Sequence, residues 1–467
     1  MLTLVALSLV SSACISARRT PNLEHIFASA RSRSGKRPVI VIPGILGTEL
    51  INSKTGETVW PSAFRTSQEG LPMSPDLASN RDDLVPGKII ETVRLARVLP
   101  EVYVYRDLLE ALRRYAGYRE GDWENPDVDA YQDTFYVFAY DWRQDNVANA
   151  RALVRRLERL KSKLQRPDLK FNVVAHSMGG LIARYAAMYG DVDLPEGDGP
   201  IQPTWVGAAH ISKIVMIGVP NEGSADAFAT LVEGYSITEG LRRRVPLLNK
   251  LTAEDVVRTP SVFQLMPHRQ AVRFLDENLQ ALEIDLYDPE VWKRYGWSAI
   301  YSEEFRRRYS ETVGTNGQIH ELDAYLAAIL KRARRFQAAL DSVENSNSPV
   351  TLLAIGGDCE ETLNSPLILR DEKRNRWLTL IRPREYRTAG GLKISKKRAT
   401  EAMYAPGDGR VTRASLLGEN LFKSRDTQTG FSLSRYAVFG CDLHGQLQRN
   451  KTLQDNALTA IVGEAVN

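Results

Sequence analysis

Short apolar runs alternate with segments of helical spacing along most of the chain. Val39 to Ile42 is a continuous β-branched run bounded by Pro38 and Pro43, the pattern of a strand buried on both faces. Similar runs recur at Thr134 to Tyr140, Phe171 to Ala175, Ile214 to Ile217, Val350 to Ile355 and Tyr436 to Phe439. Between them Leu108, Leu109, Leu112 and Tyr115 share one face of a helix that Gly117 can cap, and Leu153, Leu157, Leu160 and Leu164 mark another. Strands alternating with helices predict an α/β fold with a mostly parallel, doubly wound sheet. The alternation breaks between about Ser224 and Asn347, where Leu322, Tyr325, Leu326, Ile329, Ala333, Phe336 and Leu340 are spaced as in a helix. Such a stretch is too long for a loop and predicts a helical cap or lid inserted into the core. The expected division is a core of 38–223 and 348–467 around a cap of 224–347.

The first residues add an address. Leu2 to Val10 is apolar and leads to Ser11, Ser12, Ala13 and Cys14, so residues 1–14 resemble a bacterial export signal ending in a lipidated cysteine. Two departures stand out: no Lys or Arg precedes the apolar run, and Ser11 occupies a position where leucine is usual. Plain cleavage with secretion and an ordinary apolar N-terminal segment are the alternatives. The expected location is therefore outside the cytoplasm, in a bacterial periplasm or anchored as a lipoprotein. Residues 15–37, rich in Arg and Ser and short of large apolar side chains, read as a basic tether. Cys359 and Cys441 each follow an expected strand; a disulfide and two free thiols both remain open.

A formal charge of +4 spread over 467 residues gives no nucleic-acid footprint. No run reaches the ~18 apolar residues of a membrane-spanning helix. Nothing implies a cofactor or metal: no glycine-rich phosphate loop follows a strand, and no His/Cys/Asp cluster has ligand spacing.

Candidate chemistry begins where Phe171 to Ala175 runs into His176, Ser177, Met178, Gly179 and Gly180, followed by a helical segment. Strand, tight turn and helix in that order form a nucleophile elbow, which lifts a serine hydroxyl above the sheet. Ala175 stands where glycine is usual, a small change in volume. A serine nucleophile needs a base oriented by a carboxylate. Of six histidines, His25 lies in the tether, His268 and His320 in the insertion, His210 before a strand, and His176 within the elbow, where packing or hydrogen bonding suits it better. His444 follows the last strand, where the chain order of nucleophile, acid and base puts the base. For the acid, Asp408 between Gly407 and Gly409 competes with Asp358, which closely follows the Val350 to Ile355 run. Oxyanion donors, each worth roughly a hundredfold in rate, are expected from the N–H of Met178 and, in the Pro43 to Gly47 turn, of Ile45.

Ile42 to Leu50, Val59-Trp60, Tyr140-Asp141-Trp142-Arg143, Ala175 to Gly179, Gly407-Asp408-Gly409 and His444 together resemble the lecithin:cholesterol acyltransferase family of phospholipases and acyltransferases. The resemblance implies an α/β-hydrolase fold, a capped site, Asp408 as the acid, Ile45 and Met178 as oxyanion donors, and a lipid acyl ester as substrate. An alcohol or lysolipid is then the possible acceptor. Arg410 departs from the threonine often found after Gly-Asp-Gly. Asp141 and Arg143 read first as an ion pair around a packed Trp142, second as cleft lining. Lys331, Arg332, Arg334 and Arg335 form a basic helix face; a solvated lid face is its commoner meaning, contact with an anionic membrane the other. A peptidase or thioesterase on the same scaffold, or a lipid-binding protein that lacks catalysis, are the competing functions; only the last predicts that replacing Ser177 changes nothing.

Overall fold

Val39–Ile42 (β1) is buried along its whole length because both faces are covered. Val39 and Val41 pack on one side with Leu108, Leu109 and Leu112, while Ile40 and Ile42 pack on the other with Leu153, Leu157 and Leu181. Alternate side chains of a strand point to opposite faces, so an unbroken β-branched run marks a central strand. The computed structural model describes residues 20–61, 71, 73, 82–94, 101–197, 199, 201–236, 250–268, 273–313, 317–342, 348–419 and 433–463. The expected export signal, 1–14 with Cys14, lies outside them.

Around β1 stand Arg119–Glu120 (β2), Thr134–Val137 (β3), Phe171–His176 (β4), Ile211–Ile217 (β5), Thr351–Gly357 (β6) and Arg435–Gly440 (β7). Among the described residues they form one seven-stranded sheet in the order β7-β6-β5-β4-β1-β3-β2, parallel at every pairing. Helix Arg106–Arg114 (α1) covers one face with Lys451–Val462, while Asn146–Lys163 (α2) and Met178–Tyr189 (α3) cover the other. Helix α2 begins at Asp145, whose carboxylate accepts the N–H groups of Val147 and Ala148. This is the α/β-hydrolase arrangement expected from the sequence. The run from Thr134 leaves the sheet at Val137, and Tyr140 instead donates its hydroxyl to Pro43 O at 2.8 Å.

Two expected boundaries need correction. The described part of the tether, 20–37, is packed structure. Leu23–Ile26 and Ala28–Ser32 are short helices, and Leu23 and Phe27 join the cluster beneath α1. Lys36 is 1% exposed, its ammonium 2.6 Å from Asp133 and also bonded to Ala30 O and Arg33 O. Paired in this way, a basic segment loses the solvation that made it read as a tether. The second boundary, at 347/348, runs through a small sheet. Phe274–Leu275, inside the expected cap, pairs with Leu367, inside the expected core, next to Arg376–Leu380. Strands of two and five residues are too short to announce themselves by periodicity.

The expected cap is otherwise mainly helical, with two short strand pairs, Ala225–Glu233 (α4) and Gly317–Leu340 (α5) as main elements, and Phe228, Phe274, Trp292 and Trp297 as an aromatic centre. Arg332 bonds both Asp145, at 2.7 Å, and Asp193, at 2.9 Å. Arg334 pairs with Asp285, and Arg335 donates to Pro195 O. These three arginines fasten α5 to its surroundings. No helix among the described residues is long and apolar enough to cross a membrane. Cys359 and Cys441 are bonded, with Cα atoms 5.1 Å apart, which ties the segments after β6 and β7 together.

Asp133→Ala leaves the Lys36 charge buried without its counter-ion. The variant should lose about 3 kcal/mol of unfolding free energy, read by urea denaturation; a loss below about 1 kcal/mol would return residues 20–37 to the status of an appendage.

Candidate active site

Ser177 follows β4 directly at φ 52 and ψ −127, a backbone state that side-chain-bearing residues rarely adopt. Its N–H donates to Ile217 O at 2.8 Å, which holds the turn against the neighbouring strand. The following glycines are required by contact. A Cβ at Gly179 would lie 2.5 Å from Pro43 O, and one at Gly180 would lie 2.2 Å from a Val219 methyl. Ala175, the departure from the usual elbow glycine, is fully buried in register with Ile42 and Met216, so its methyl is part of the core.

The structure brings Ser177, Asp408 and His444 together. His444 Nε2 is 2.8 Å from Ser177 Oγ, and His444 Nδ1 is 2.8 Å from Asp408 Oδ2. All three are buried. Asp408 Oδ1 accepts the N–H groups of Arg410 and Val411 at 3.1 and 2.8 Å, so the carboxylate is aimed by its own turn. The His444 N–H donates to Asp408 O at 2.8 Å, a second tie between the two loops. The rival Asp358 does not take this place, although it is close in space. After β6 the chain makes a long excursion and returns as Tyr404–Gly407, antiparallel to Glu360–Leu363. That pairing delivers Asp408 to the end of β6, where a Cβ on Gly357 would be 3.5 Å from Asp408 Cβ.

Both ring nitrogens of His176 are engaged by other groups. Tyr105, the residue before α1, accepts the Gly44 N–H at 2.7 Å and lies 2.8 Å from His176 Nδ1. The hydroxyl has one proton, so it donates to Nδ1, and His176 Nε2–H is left to donate to His444 O at 3.2 Å. Burial, followed by repulsion from the adjacent His444, holds the His176 pKa well below its ordinary 6.5, against the pull of the His444 carbonyl. The pair thus joins the turn after β1 to the loop carrying His444. Sequence reasoning missed Tyr105. A tyrosine 71 residues from its histidine partner, with no motif around it, looks like any core aromatic.

Met178 is the first residue of α3, so its N–H has no acceptor within the helix. Ile45 is central in a turn closed by Gly47 N–H to Gly44 O at 3.1 Å, with Leu46 at φ 64. A Cβ at Gly44 would lie 2.8 Å from Ser177 Cβ, so this turn rests on the elbow. Above them opens a cavity of about 310 Å³ that Ser177 and His444 line with Ile45, Trp60, Ile90, Leu251 and Val262. Its walls are mainly apolar; among the described residues Asp226 and Arg410 are the charged side chains lining it besides Asp408.

Asp141 and Arg143 form the expected ion pair at 2.7 Å, extended by Asp82 at 2.6 Å, and Trp142 is packed beside them with its Nε1–H on Thr48 O. Trp142 also lines the cavity, so the two readings of this motif coexist.

Comparison with known proteins agrees with this architecture. The family model described as lecithin:cholesterol acyltransferase matches residues 106–323, a span that contains Ser177 and ends before Asp408 and His444. Among solved structures, a chain of the Tle4–Tli4 complex is 15% identical and superposes with a TM-score of 0.52 over 92% of this chain and 98% of that one. EstA from Clostridium botulinum is 12% identical, with a TM-score of 0.36 over 94% and 91% of the two chains. The lipase of Staphylococcus hyicus is 13% identical, with a TM-score of 0.33 over 94% and 93%. No curated protein matches the sequence.

Tyr105→Phe removes a partner from both the Gly44 N–H and His176 Nδ1, and should cost about 1–3 kcal/mol in chemical denaturation; an unchanged midpoint would mean water replaces the hydroxyl. Acid should destabilise the fold by a related route. His210 is pushed down to about 4, chiefly by burial and then by Lys161, and His176 is depressed as well. The unfolded chain therefore binds more protons than the folded one below pH about 6.5. Stability contributed by these neutral imidazoles is complete above that pH and is lost as pH falls toward 4. His210→Gln should flatten part of that slope in melting temperature against pH, and an unchanged slope would remove His210 from the account.

Proposed function

We propose, from the match to the lecithin:cholesterol acyltransferase family over residues 106–323, that this chain cleaves or transfers the acyl group of a lipid ester through an acyl-enzyme on Ser177. The observation that carries the proposal is the line of hydrogen bonds from Ser177 Oγ through His444 to Asp408, each 2.8 Å. Ser177 Oγ attacks the ester carbonyl carbon while its proton passes to His444 Nε2. Asp408 fixes the ring with Nδ1–H toward itself and stabilises the imidazolium as it forms. Negative charge moving onto the carbonyl oxygen is met by the N–H groups of Met178 and Ile45. The alcohol departs with the proton from His444. Water or an acceptor alcohol, deprotonated by the same imidazole, then releases the acyl group. Both outcomes use the same residues and differ in what reaches the acyl-enzyme.

The mainly apolar lining, with Trp60, Ile90, Leu251 and Val262, supports a substrate with an acyl chain. In this reading residues 224–347 act chiefly as the cap, and lipid reaches the site from a membrane or micelle surface. Export belongs to the same proposal: the Cys359–Cys441 bond suits an oxidising compartment such as the periplasm.

Mass-spectrometric product analysis on mixed phospholipids, with and without an added alcohol or lysolipid, tests the proposal. Free fatty acid or acylated acceptor should form with the wild type and fall by at least ~10³-fold in Ser177→Ala. Equal product from both proteins would refute the role of Ser177.

A further inference from the structure

Arg410 sits at a place where its charge is costly unless it is used. It lines the same mainly apolar cavity as Ser177, and its guanidinium pairs with Asp226 of α4 and stacks 4.5 Å over the Tyr235 ring. The two charged side chains are only 22% and 25% exposed. The Arg410 backbone is fixed on both sides: its N–H donates to Asp408 Oδ1 at 3.1 Å, and its C=O accepts the Ser224 hydroxyl at 2.5 Å. An ion pair only partly exposed to water recovers part of its desolvation by its own attraction, and a neutral pair could brace the same contact. An arginine fork matches the oxygens of a phosphate, and a carboxylate matches an ammonium.

We propose that Arg410 and Asp226 together read the headgroup of a zwitterionic glycerophospholipid: Arg410 takes the phosphodiester and Asp226 the headgroup amine. This deepens the acyl-ester reading of Ser177 and rests on it. In such a lipid only a few covalent bonds separate the scissile carbonyl from the phosphorus, and in the chain two positions separate Asp408 from Arg410. The headgroup therefore replaces the internal ion pair with two charge-matched contacts, one to each member.

The test compares kcat/KM of the full-length protein on phosphatidylethanolamine, on phosphatidylglycerol and on diacylglycerol of the same acyl chains in mixed micelles. Arg410→Ala should lower the ratio of phosphatidylethanolamine to diacylglycerol turnover about tenfold, the equivalent of ~1.4 kcal/mol, with Arg410→Lys recovering part of it. Asp226→Asn should shift preference from phosphatidylethanolamine toward phosphatidylglycerol. Matching melting temperatures separate these effects from unfolding. Parallel losses on all three lipids, or none, would overturn the assignment and leave the pair as a brace between α4 and the Asp408 turn. If the wild type turns over none of these lipids but labels at Ser177 with a fluorophosphonate, the headgroup assignment fails alone; without labelling, the reading of Ser177 fails too.

Discussion

Holding a serine at φ 52 takes restraint from several directions, and much of the molecule supplies it. The strand before Ser177 is the fourth and central member of a parallel sheet, bonded on one side to β1 and on the other to β5. The helix after it presses glycine against the backbone of β1, at distances no larger residue could meet. Strain of about 1–3 kcal/mol at one residue is small beside the burial of the surrounding strands, which is why an α/β sheet can carry it. The same squeeze sets Ser177 in the cavity wall and makes Met178 the first residue of α3, with no acceptor for its N–H inside the helix.

Around that fixed point the remaining groups arrive on loops, and each loop is held by a bond to another. Gly44 is tied through Tyr105 to His176, His176 to the His444 carbonyl, and the His444 N–H to the Asp408 carbonyl. The carboxylate in turn is aimed by the N–H groups of Arg410 and Val411. Such a line of linked polar groups is satisfied together only when the loops that carry them are placed together. Precision here comes from mutual hydrogen bonding more than from the rigidity of any one loop.

Local chemistry made much of this legible in the sequence. A β-branched run between prolines announced β1, and the strand–serine–glycine–helix order announced the elbow, because both depend on residues adjacent in the chain. His444 could be reached by chain order. Asp408 and Asp358 could not be separated by residues alone, since choosing between them requires knowing that Glu360–Leu363 pairs with Tyr404–Gly407. Tyr105 was invisible for the same reason. The basic character of residues 20–37 suggested solvent, whereas Lys36 finds Asp133 far along the chain; on α5 Arg334 does face solvent, while Arg332 is drawn to Asp145. Charge in a sequence reports what must be neutralised and is silent on what does so.

The separation of 267 positions between Ser177 and His444 has a temporal meaning as well. Contacts of such range form late, because the intervening chain must first be ordered. The elbow needs β5, which ends at Ile217, yet the imidazole that faces the serine is synthesised only after β6, the excursion to Asp408 and β7. Until then the hydrogen bond between Ser177 and His444 cannot form. The order of the chain therefore makes the meeting of Ser177 and His444 one of the last contacts that synthesis permits.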